Sequence, residues 1–354
     1  MKKVLVAMSG GVDSSVAAFL LKQAGYDVTG VTMCLGMQKE EGEAACCGKD
    51  AIDDARTVCD KIRIPHHVID FAAMFERHVI ERFIGEYNMG RTPNPCVECN
   101  GSLKFGRLLE MTREMGFEYL ATGHYARIIQ NEKGYSLMKA KDITKDQSYF
   151  LYPIKKDDLG AILFPVGDYL KNDVRRIAEE AKLVVAEKAE SQDICFIGKG
   201  GLEKFFIDSG GLVKPGPIVD KSGKEVGTHK GIVFYTIGQR HGMGISSKVP
   251  LYVSAINAEK NEIVAGTRED IYSSSLSVVD INMLVDTMPE SGSGKIRYRK
   301  KESPCHLSYV DGKIEVEFDG PQESVTPGQS FVFYQGDQVM GGGIINEVIK
   351  GTIN

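Results

Sequence analysis

A segment rich in glycine and serine stands between the first apolar run of the chain and its first helical pattern. The run Val4–Ala7 predicts a strand that is buried on both faces, and Ser9-Gly10-Gly11-Val12-Asp13-Ser14-Ser15 follows it. Glycines allow the backbone to approach an anion closely, and a helix N-terminus offers free N–H groups. The segment therefore predicts a phosphate-binding loop in which Asp13 either holds Mg²⁺ or caps the helix. A plain glycine turn with a capped helix is the alternative.

Three of the eight cysteines lie in segments that could do chemistry. Cys96 and Cys99 form a Cys-x-x-Cys pair in the proline-punctuated segment 90–100, ahead of a helical pattern at 103–115. Cys99 is therefore expected near a helix N-terminus, a setting that favours the thiolate. Cys195 lies about a hundred residues later, in the apolar, strand-like run Ser191–Ile197. From spacing alone, buried fillers, half of a zinc site and a redox pair all remain open.

A basic strip is the third candidate site. Lys295–Lys301 contains five cations and no acid, although the whole chain has a net charge of −5. In a strand, Arg297 and Arg299 would share one face with Lys301, and Tyr298 would lie on the other. Such a strip suits RNA phosphates, and a solvated edge strand is the alternative.

Two kinds of element must position these residues. The first 200 residues alternate strand and helix patterns, which predicts a parallel sheet with helices on both faces. The expected helices are 12–24, 50–62, 72–87 and 103–115, and the expected strands are 4–7, 28–33, 67–69 and 119–122. Beyond residue 200, short alternating runs with glycine turns predict small antiparallel barrels or sandwiches. We expect domains at 1–200, 201–273 and 274–354.

Length and composition exclude several classes of protein. With 354 residues, 42% hydrophobic and 26% charged, the chain is expected to be globular, with two or three domains. No apolar run approaches the length of a membrane span, and the apolar start is too short for a signal peptide. A cytoplasmic location is therefore expected, with no membrane partner. The cysteines are not expected to form a disulfide scaffold.

The phosphate loop resembles that of the N-type ATP pyrophosphatases, also called the PP-loop superfamily. Its members include GMP synthetase, NAD synthetase, argininosuccinate synthetase and several tRNA-modifying enzymes, which adenylate an oxygen and release pyrophosphate. The resemblance implies a Rossmann-like, adenine nucleotide alpha hydrolase-like fold for the first domain. The loop alone does not choose among the members.

Further motifs make the resemblance more specific. They are Thr92–Pro95, Cys99, Ala121–Tyr125, Lys145–Leu151, Phe164–Gly167, Ser191–Ile197, Gly238–Arg240, Thr326–Gln329 and Gly341–Ile345. Together and in this order, they resemble the tRNA-specific 2-thiouridylases, which are tRNA-uridine 2-sulfurtransferases acting on the wobble position U34. The resemblance covers nearly the whole chain, from Val4 to about Ile345.

The resemblance implies a role for each matching position. Cys99 would be the nucleophile and Cys195 the carrier of a persulfide, within disulfide reach of each other. The pocket for the flipped target base would be Asn94, Pro95 and Cys96. ATP would contact Ala7, Met8, Ser9, Gly10, Gly11, Val12, Asp13, Ser14, Met33 and Gly123. Contacts with tRNA would come from His124, Lys145, Asp146, Gln147 and Gln329; a core histidine is the alternative for His124. Given the resemblance, RNA contact is also the favoured interpretation of Arg297, Tyr298 and Arg299 in the basic strip.

Cys96 departs from the family pattern, which usually has Asp at this position. That leaves three thiols, Cys96, Cys99 and Cys195, which could instead bind a 4Fe–4S cluster. The persulfide route and the cluster route therefore both stay open. Cys34, Cys46, Cys47 and Cys59 are interpreted as incidental thiols, because no standard zinc spacing joins them.

The predicted function is ATP-dependent 2-thiolation of the wobble uridine, with ATP and Mg²⁺ as cofactors. The expected partners are tRNAs for Lys, Glu and Gln, and a sulfur donor such as a cysteine desulfurase or a relay protein. A PP-loop amidotransferase or ligase is the alternative among enzymes. A non-catalytic, metal-holding RNA-binding module is the alternative from another class.

Overall fold

The computed structural model describes residues 1–36, 49–132, 134–189, 194–198 and 200–349. The chain divides into two compact units. The first consists of Met1–Val79, Cys96–Lys199 and Asp337–Val339, and the second of Ile80–Pro95, Gly200–Gly336 and Met340–Asn354. The three domain ranges expected from the sequence remain a prediction. None of the helices in the described ranges is long and apolar enough to cross a membrane.

A parallel five-stranded sheet forms the centre of the first unit, in the spatial order His66–Asp70 (β3), Asp27–Cys34 (β2), Lys3–Ala7 (β1), Tyr119–Ala121 (β4) and Ile162–Leu163 (β7). Val4, Leu5 and Val6 of β1 are fully buried, as expected for a central strand that is covered on both faces. Ala126–Asn131 (β5) and Gly134–Lys139 (β6) form an antiparallel hairpin.

The helices bury apolar faces, as the sequence pattern predicts. In the first helix of the chain, Val16, Ala17 and Ala18 are fully buried in a cluster that also includes Val58 and Val174 of two other helices. The α-helices are Val12–Gln23 (α1), Lys49–Ile62 (α2), Ala72–Phe75 (α3), Glu81–Asn88 (α4), Pro95–Glu98 (α5), Leu109–Glu114 (α6), Lys171–Glu180 (α7) and Gly201–Asp208 (α8). Two π-helical segments, Glu76–Ile80 and Cys99–Leu108, join consecutive α-helices.

The second unit is built mainly from strands. A four-stranded sheet has the order β10-β11-β8-β9, from Gly216–Val219 (β8), Glu225–His229 (β9), Tyr252–Asn257 (β10) and Glu262–Gly266 (β11). The remaining strands are Tyr272–Met283 (β12), Ser291–Lys295 (β13), Ser303–Val310 (β14), Lys313–Glu323 (β15), Ser330–Gln335 (β16) and Gln338–Ile349 (β17). Pairing of β12 with both β15 and β17 closes a barrel around Val316, Phe331 and Phe333. The predicted α/β class, with a Rossmann-like sheet followed by small β structures, is confirmed.

The basic strip Lys295–Lys301 is not a strand, and this prediction was wrong. β13 ends at Lys295 and the chain turns, with the Lys300 N–H donating to the Arg297 carbonyl at 3.2 Å. The Arg297 guanidinium donates to the Ile237 carbonyl at 3.0 Å and to the Thr326 hydroxyl. These long-range hydrogen bonds outweigh local alternation, so Arg297 and Arg299 do not present one regular face.

His229, at the end of β9, is buried in the second unit. Its Nε2 lies 2.9 Å from the Asn261 carbonyl oxygen, which can only accept, so Nε2 carries the proton of the neutral ring. Nδ1 is buried without a hydrogen-bond partner in the described part of the chain. Burial lowers the pKa of His229, because a charged ring there would lose its hydration.

Acid is therefore expected to destabilise the second unit through His229. The unfolded chain takes up this proton near the usual pKa of about 6.5, whereas the folded chain resists it until lower pH. Stability is then lost as the pH falls below that value. We expect thermal unfolding at pH 7.5 and pH 5.5 to differ less for His229→Gln than for the wild type. The exposed His241→Gln is the control, and an equal acid effect in both variants would contradict this assignment.

Candidate active site

The predicted phosphate loop lies between β1 and α1. Ser9, Gly10 and Gly11 connect the strand to the helix, which begins at Val12. The Ser9 N–H donates to the Ser14 hydroxyl at 3.2 Å, and the Ser15 hydroxyl donates to the Gly11 carbonyl at 2.8 Å. These bonds hold the serines of the loop in place, at the end of a helix that favours anions.

Two glycines of the predicted ATP site are required by close packing. Gly10 has a φ of +69°, and a Cβ there would lie 2.3 Å from the Ala51 carbonyl oxygen in the first turn of α2. A Cβ on Gly123, just after β4, would lie 2.5 Å from the Ser14 nitrogen. The structure thus brings Gly123 against the start of α1. Met33 is half-buried near the end of β2, at the same carboxyl edge of the sheet. That these residues contact ATP remains a prediction.

Asp13 is held by an ion pair that the sequence analysis missed. The Lys171 Nζ donates to Oδ1 at 2.7 Å and to Oδ2 at 2.9 Å, and the Tyr125 hydroxyl donates to Oδ1 at 2.8 Å. The Lys171 side chain is only 8% exposed, and its Nζ lies 5.5 Å from the centre of the Tyr125 ring. The cap interpretation of Asp13 was wrong, because the N-cap residue is Gly11 and no side chain caps the helix.

The position of Lys171 in the structure explains why it pairs with an acidic residue. Lys171 is the first residue of α7, where a cation is disfavoured by the helix dipole. A buried lysine at such a position needs an anionic partner, which Asp13 supplies from 158 residues away. Tyr125 is the last residue of the motif Ala121–Tyr125, but a tyrosine at this position does not by itself indicate a function.

The helix that carries the first two thiols begins earlier than expected. It starts at Pro95, the residue that suits a first helical position because it has no N–H to leave unpaired. Cys96 therefore lies in the first turn, whereas Cys99 begins the π-helical segment. The expectation that Cys99 is the thiol near the helix N-terminus was wrong.

Cys195 lies in a turn rather than in a strand. The Ile197 N–H donates to the Ile194 carbonyl at 3.0 Å, so the strand-like interpretation of this run was wrong where it is described. Phe196 is buried against Phe75, with ring centres 5.8 Å apart, and Cys195 beside it is exposed. The apolar residue thus anchors the turn and leaves the thiol accessible. Ser191, Gln192 and Asp193 lie outside the described residues.

The three thiols share one neighbourhood within the first unit. Cys96 reaches the surface, but the protein atoms around it desolvate its thiol and raise its pKa to about 11. The Lys104 ammonium opposes this shift, and the charges of Cys195 and Cys99 add to it. Such influences act only between nearby groups. Cys96 is therefore a protonated thiol at neutral pH.

All three cysteines are reduced in this structure. In the residues that the structure describes, no three His, Cys, Asp or Glu side chains form a group that could hold a metal ion. The three thiols are thus not arranged as a preformed cluster site. Cys34 and the buried Cys59 and Cys305 are also reduced, while Cys46 and Cys47 lie outside the described residues.

His124 lies close to this neighbourhood. Its Nδ1 is 2.7 Å from the Thr122 hydroxyl, and its ring packs against Phe105 and Phe164. Burial, and then the Lys104 charge, lower its pKa well below the usual value, so the ring is neutral. This packing favours the core-histidine alternative, and contact with tRNA stays a prediction.

The other residues assigned to RNA also make internal contacts. Buried Asp146 accepts from the Ala140 N–H at 2.9 Å and the Ser148 hydroxyl at 2.8 Å. Gln147 accepts from the Tyr125 N–H at 2.9 Å. In the second unit, Gln329 donates to the Thr92 carbonyl at 2.7 Å. Lys145 and Tyr298 are half-buried, and Arg299 is exposed. In the predicted base pocket, Asn94 is half-buried and Pro95 is buried.

Three family models match consecutive parts of the chain. They are described as the tRNA methyl transferase HUP domain at residues 2–199, the tRNA methyl transferase PRC-barrel domain at 204–267, and the aminomethyltransferase beta-barrel domain at 273–345. The first model alone covers more than half of the chain. The chain is therefore similar to one multidomain family along almost its whole length.

Curated relatives agree with these models. The chain is 52% identical to "tRNA-specific 2-thiouridylase MnmA 1" of Syntrophus aciditrophicus, over 98% of this chain and 94% of that protein. It is 47% identical to "tRNA-specific 2-thiouridylase MnmA" of Clostridium botulinum, over 98% of this chain and 99% of that protein. The chain belongs to the MnmA family of tRNA-specific 2-thiouridylases.

Proposed function

We propose that this chain uses ATP to replace O2 of a wobble uridine in tRNA by sulfur. The observation that carries the proposal is the presence, in one compact unit, of a phosphate loop fixed by Lys171 and a neighbourhood of three thiols. The first suits activation by ATP and the second suits delivery of sulfur. The names of the relatives supply the substrate, tRNA, and the product, 2-thiouridine.

The first step activates the base. Uridine O2 attacks the α-phosphorus of ATP, the bond from that phosphorus to the bridging oxygen breaks, and pyrophosphate leaves with the electron pair. The loop N–H groups at the start of α1 stabilise the phosphate charge. The target base must leave its stack to react, and Asn94, Pro95 and Cys96 are proposed to receive it.

Magnesium is expected to accompany the nucleotide. Mg²⁺ is usually held by phosphate oxygens, water and one or two carboxylates. Both carboxylate oxygens of Asp13 already accept from Lys171, so the residues present do not fit a preformed Mg²⁺ site.

The second step transfers sulfur. The terminal sulfur of a persulfide on Cys195 attacks C2, and AMP leaves with the activated oxygen. The Cys99 thiolate then attacks the Cys195 sulfur, which forms a Cys99–Cys195 disulfide and releases the 2-thiouridine. A thiol reductant and a sulfur donor, a cysteine desulfurase or a relay protein, reset the enzyme. The exposure of Cys195 supports loading by such a donor.

The remaining predicted features belong to the same proposal. Wobble uridines of tRNAs for Lys, Glu and Gln are the proposed targets, and the cytoplasm is the proposed location. The ranges 1–200, 201–273 and 274–354 are proposed as catalytic, central and tRNA-contacting domains. Release of pyrophosphate from ATP that depends on tRNA is the direct test, because a metal-holding RNA-binding module would release none.

The Asp13–Lys171 pair is expected to serve both stability and adenylation. Asp13→Ala leaves the buried ammonium without its partner, which we expect to cost about 2 kcal/mol of stability and to abolish pyrophosphate release. Asp13→Asn combined with Lys171→Met removes both charges, so stability is expected to recover while activity does not. Thermal unfolding and a pyrophosphate assay with tRNA measure the two effects. An Asp13→Ala protein with normal stability and activity would contradict the assignment of the Asp13–Lys171 pair to both roles.

The thiols separate the persulfide route from the cluster route. Cys96→Ser is expected to retain substantial thiolation without iron, because its thiol is protonated and holds no sulfur in the proposed route. Cys99→Ser and Cys195→Ser are each expected to abolish thiolation. Cys305→Ala, a buried cysteine of the other unit, is the control. Anaerobic purification with iron and sulfide analysis measures the alternative, which requires that iron and activity vanish together in all three Ser variants.

Substitution of Arg299 is expected to weaken tRNA binding, whereas substitution of Arg297 is expected to lower stability. Exposed Arg299→Ala should weaken tRNA binding and lower its salt dependence by about one phosphate contact, with normal thermal stability. Arg297→Ala should lower thermal stability, because it loses bonds to Ile237 and Thr326. Arg176→Ala, an exposed arginine of the first unit, is the control. An unaltered salt slope in Arg299→Ala would remove this residue from the RNA contact.

A further inference from the structure

A second lysine contacts the phosphate loop from outside it. The Lys188 Nζ donates to the Gly10 carbonyl at 2.9 Å and to Asp54 Oδ2 at 2.6 Å. The turn before Lys188 is anchored by buried Val185, whose carbonyl accepts from the Lys188 N–H at 3.0 Å. The turn and the burial of Val185 therefore fix the backbone of Lys188 within side-chain reach of the loop.

Three elements of the first unit meet at Gly10. Its Cα faces the first turn of α2, where a Cβ would lie 2.3 Å from the Ala51 carbonyl oxygen. Asp54, the other acceptor of the Lys188 ammonium, lies one turn further along α2. Lys188 thus joins the loop and α2 at the residue where they are in closest contact.

Lys188 is more exposed than Lys171, the buried lysine that pairs with Asp13. ATP brings several negative charges, whereas a helix N-terminus supplies only about half of a positive charge. Lys171 is buried, and both oxygens of Asp13 already compensate its charge. The Lys188 side chain is 40% exposed, and in the described residues its ammonium contacts a single carboxylate oxygen, Oδ2 of Asp54.

The hydrogen bonds of Lys188 also leave capacity for a ligand. An ammonium group has three donors. Within the described residues, two of them are used, by Gly10 and by Asp54. The third can donate to a phosphate oxygen without breaking either bond.

We propose that Lys188 binds the terminal phosphates of ATP and stabilises the pyrophosphate as it leaves. The inference rests on the proposed ATP-dependent adenylation. When the bond between the α-phosphorus and the bridging oxygen breaks, its electron pair stays on pyrophosphate. The positive charge of Lys188 offsets the charge that develops there. Lys188 therefore discriminates nucleotides by their terminal phosphates, whereas a purely structural lysine would not.

The test compares a nucleotide that has these phosphates with one that lacks them. Calorimetry measures binding of α,β-methylene-ATP with Mg²⁺, and of AMP, to the full chain. For Lys188→Met we expect roughly a tenfold to hundredfold loss of affinity for the triphosphate analogue, because one charged hydrogen bond is lost. The affinity for AMP should change by less than about twofold. Lys188→Arg should retain most of the affinity for the analogue, because it keeps the charge.

Lys22→Met is the matched control. Lys22 is an exposed lysine in the last turn of α1, the end of that helix away from the phosphate loop. It should bind both nucleotides like the wild type, and thermal unfolding of all variants checks that they are folded. Equal losses for the analogue and AMP in Lys188→Met, or no loss for either, would overturn the inference. Failure of the wild type to bind the analogue would instead overturn the proposed function.

Discussion

The ion pair between Asp13 and Lys171 is the interaction on which the proposed site depends most. It joins the first turn of α1 to the start of α7, and the Tyr125 hydroxyl completes the contacts of the carboxylate. Removing a lysine from water is costly, so a pair of this kind persists only with close geometry and further hydrogen bonds. Here the ion pair holds the start of α1 in place, and with it the N–H groups of the adjoining loop. A fixed loop needs no rearrangement when phosphate charge develops on it.

The same unit places thiols of different character in one neighbourhood. Cys195 is exposed beside a buried aromatic anchor, which suits the proposed loading of this thiol with sulfur by another molecule. Cys96 is desolvated, and its pKa of about 11 keeps it as a protonated thiol rather than a nucleophilic thiolate at neutral pH. The Lys104 ammonium acts on both Cys96 and His124. It lowers the pKa of each group, so it opposes the raised pKa of the Cys96 thiol and disfavours protonation of the His124 ring.

Residues that are adjacent in the sequence are sufficient to predict part of the candidate site. The buried run Val4–Ala7, the two glycines and the following helix are neighbours in sequence, so the phosphate loop could be predicted from its residues. The Lys171 partner of Asp13 could not, because a contact over 158 residues leaves no periodic signal. For the same reason the strip around Arg297 was misassigned as a strand, since its shape depends on distant Ile237 and Thr326. The helix start at Pro95 was missed although proline at a first helical position is a known signal.

The proposed reaction consumes one ATP for each sulfur that is placed on a uridine. Its most direct measurement uses anaerobic enzyme loaded with persulfide, in a single turnover with ATP and unmodified tRNA. Mass spectrometry of the digested tRNA counts 2-thiouridine, and a parallel assay counts pyrophosphate. We expect equal amounts of both, with the sulfur at the wobble position and no pyrophosphate without tRNA. Thiolation without ATP, or pyrophosphate released without tRNA, would contradict it.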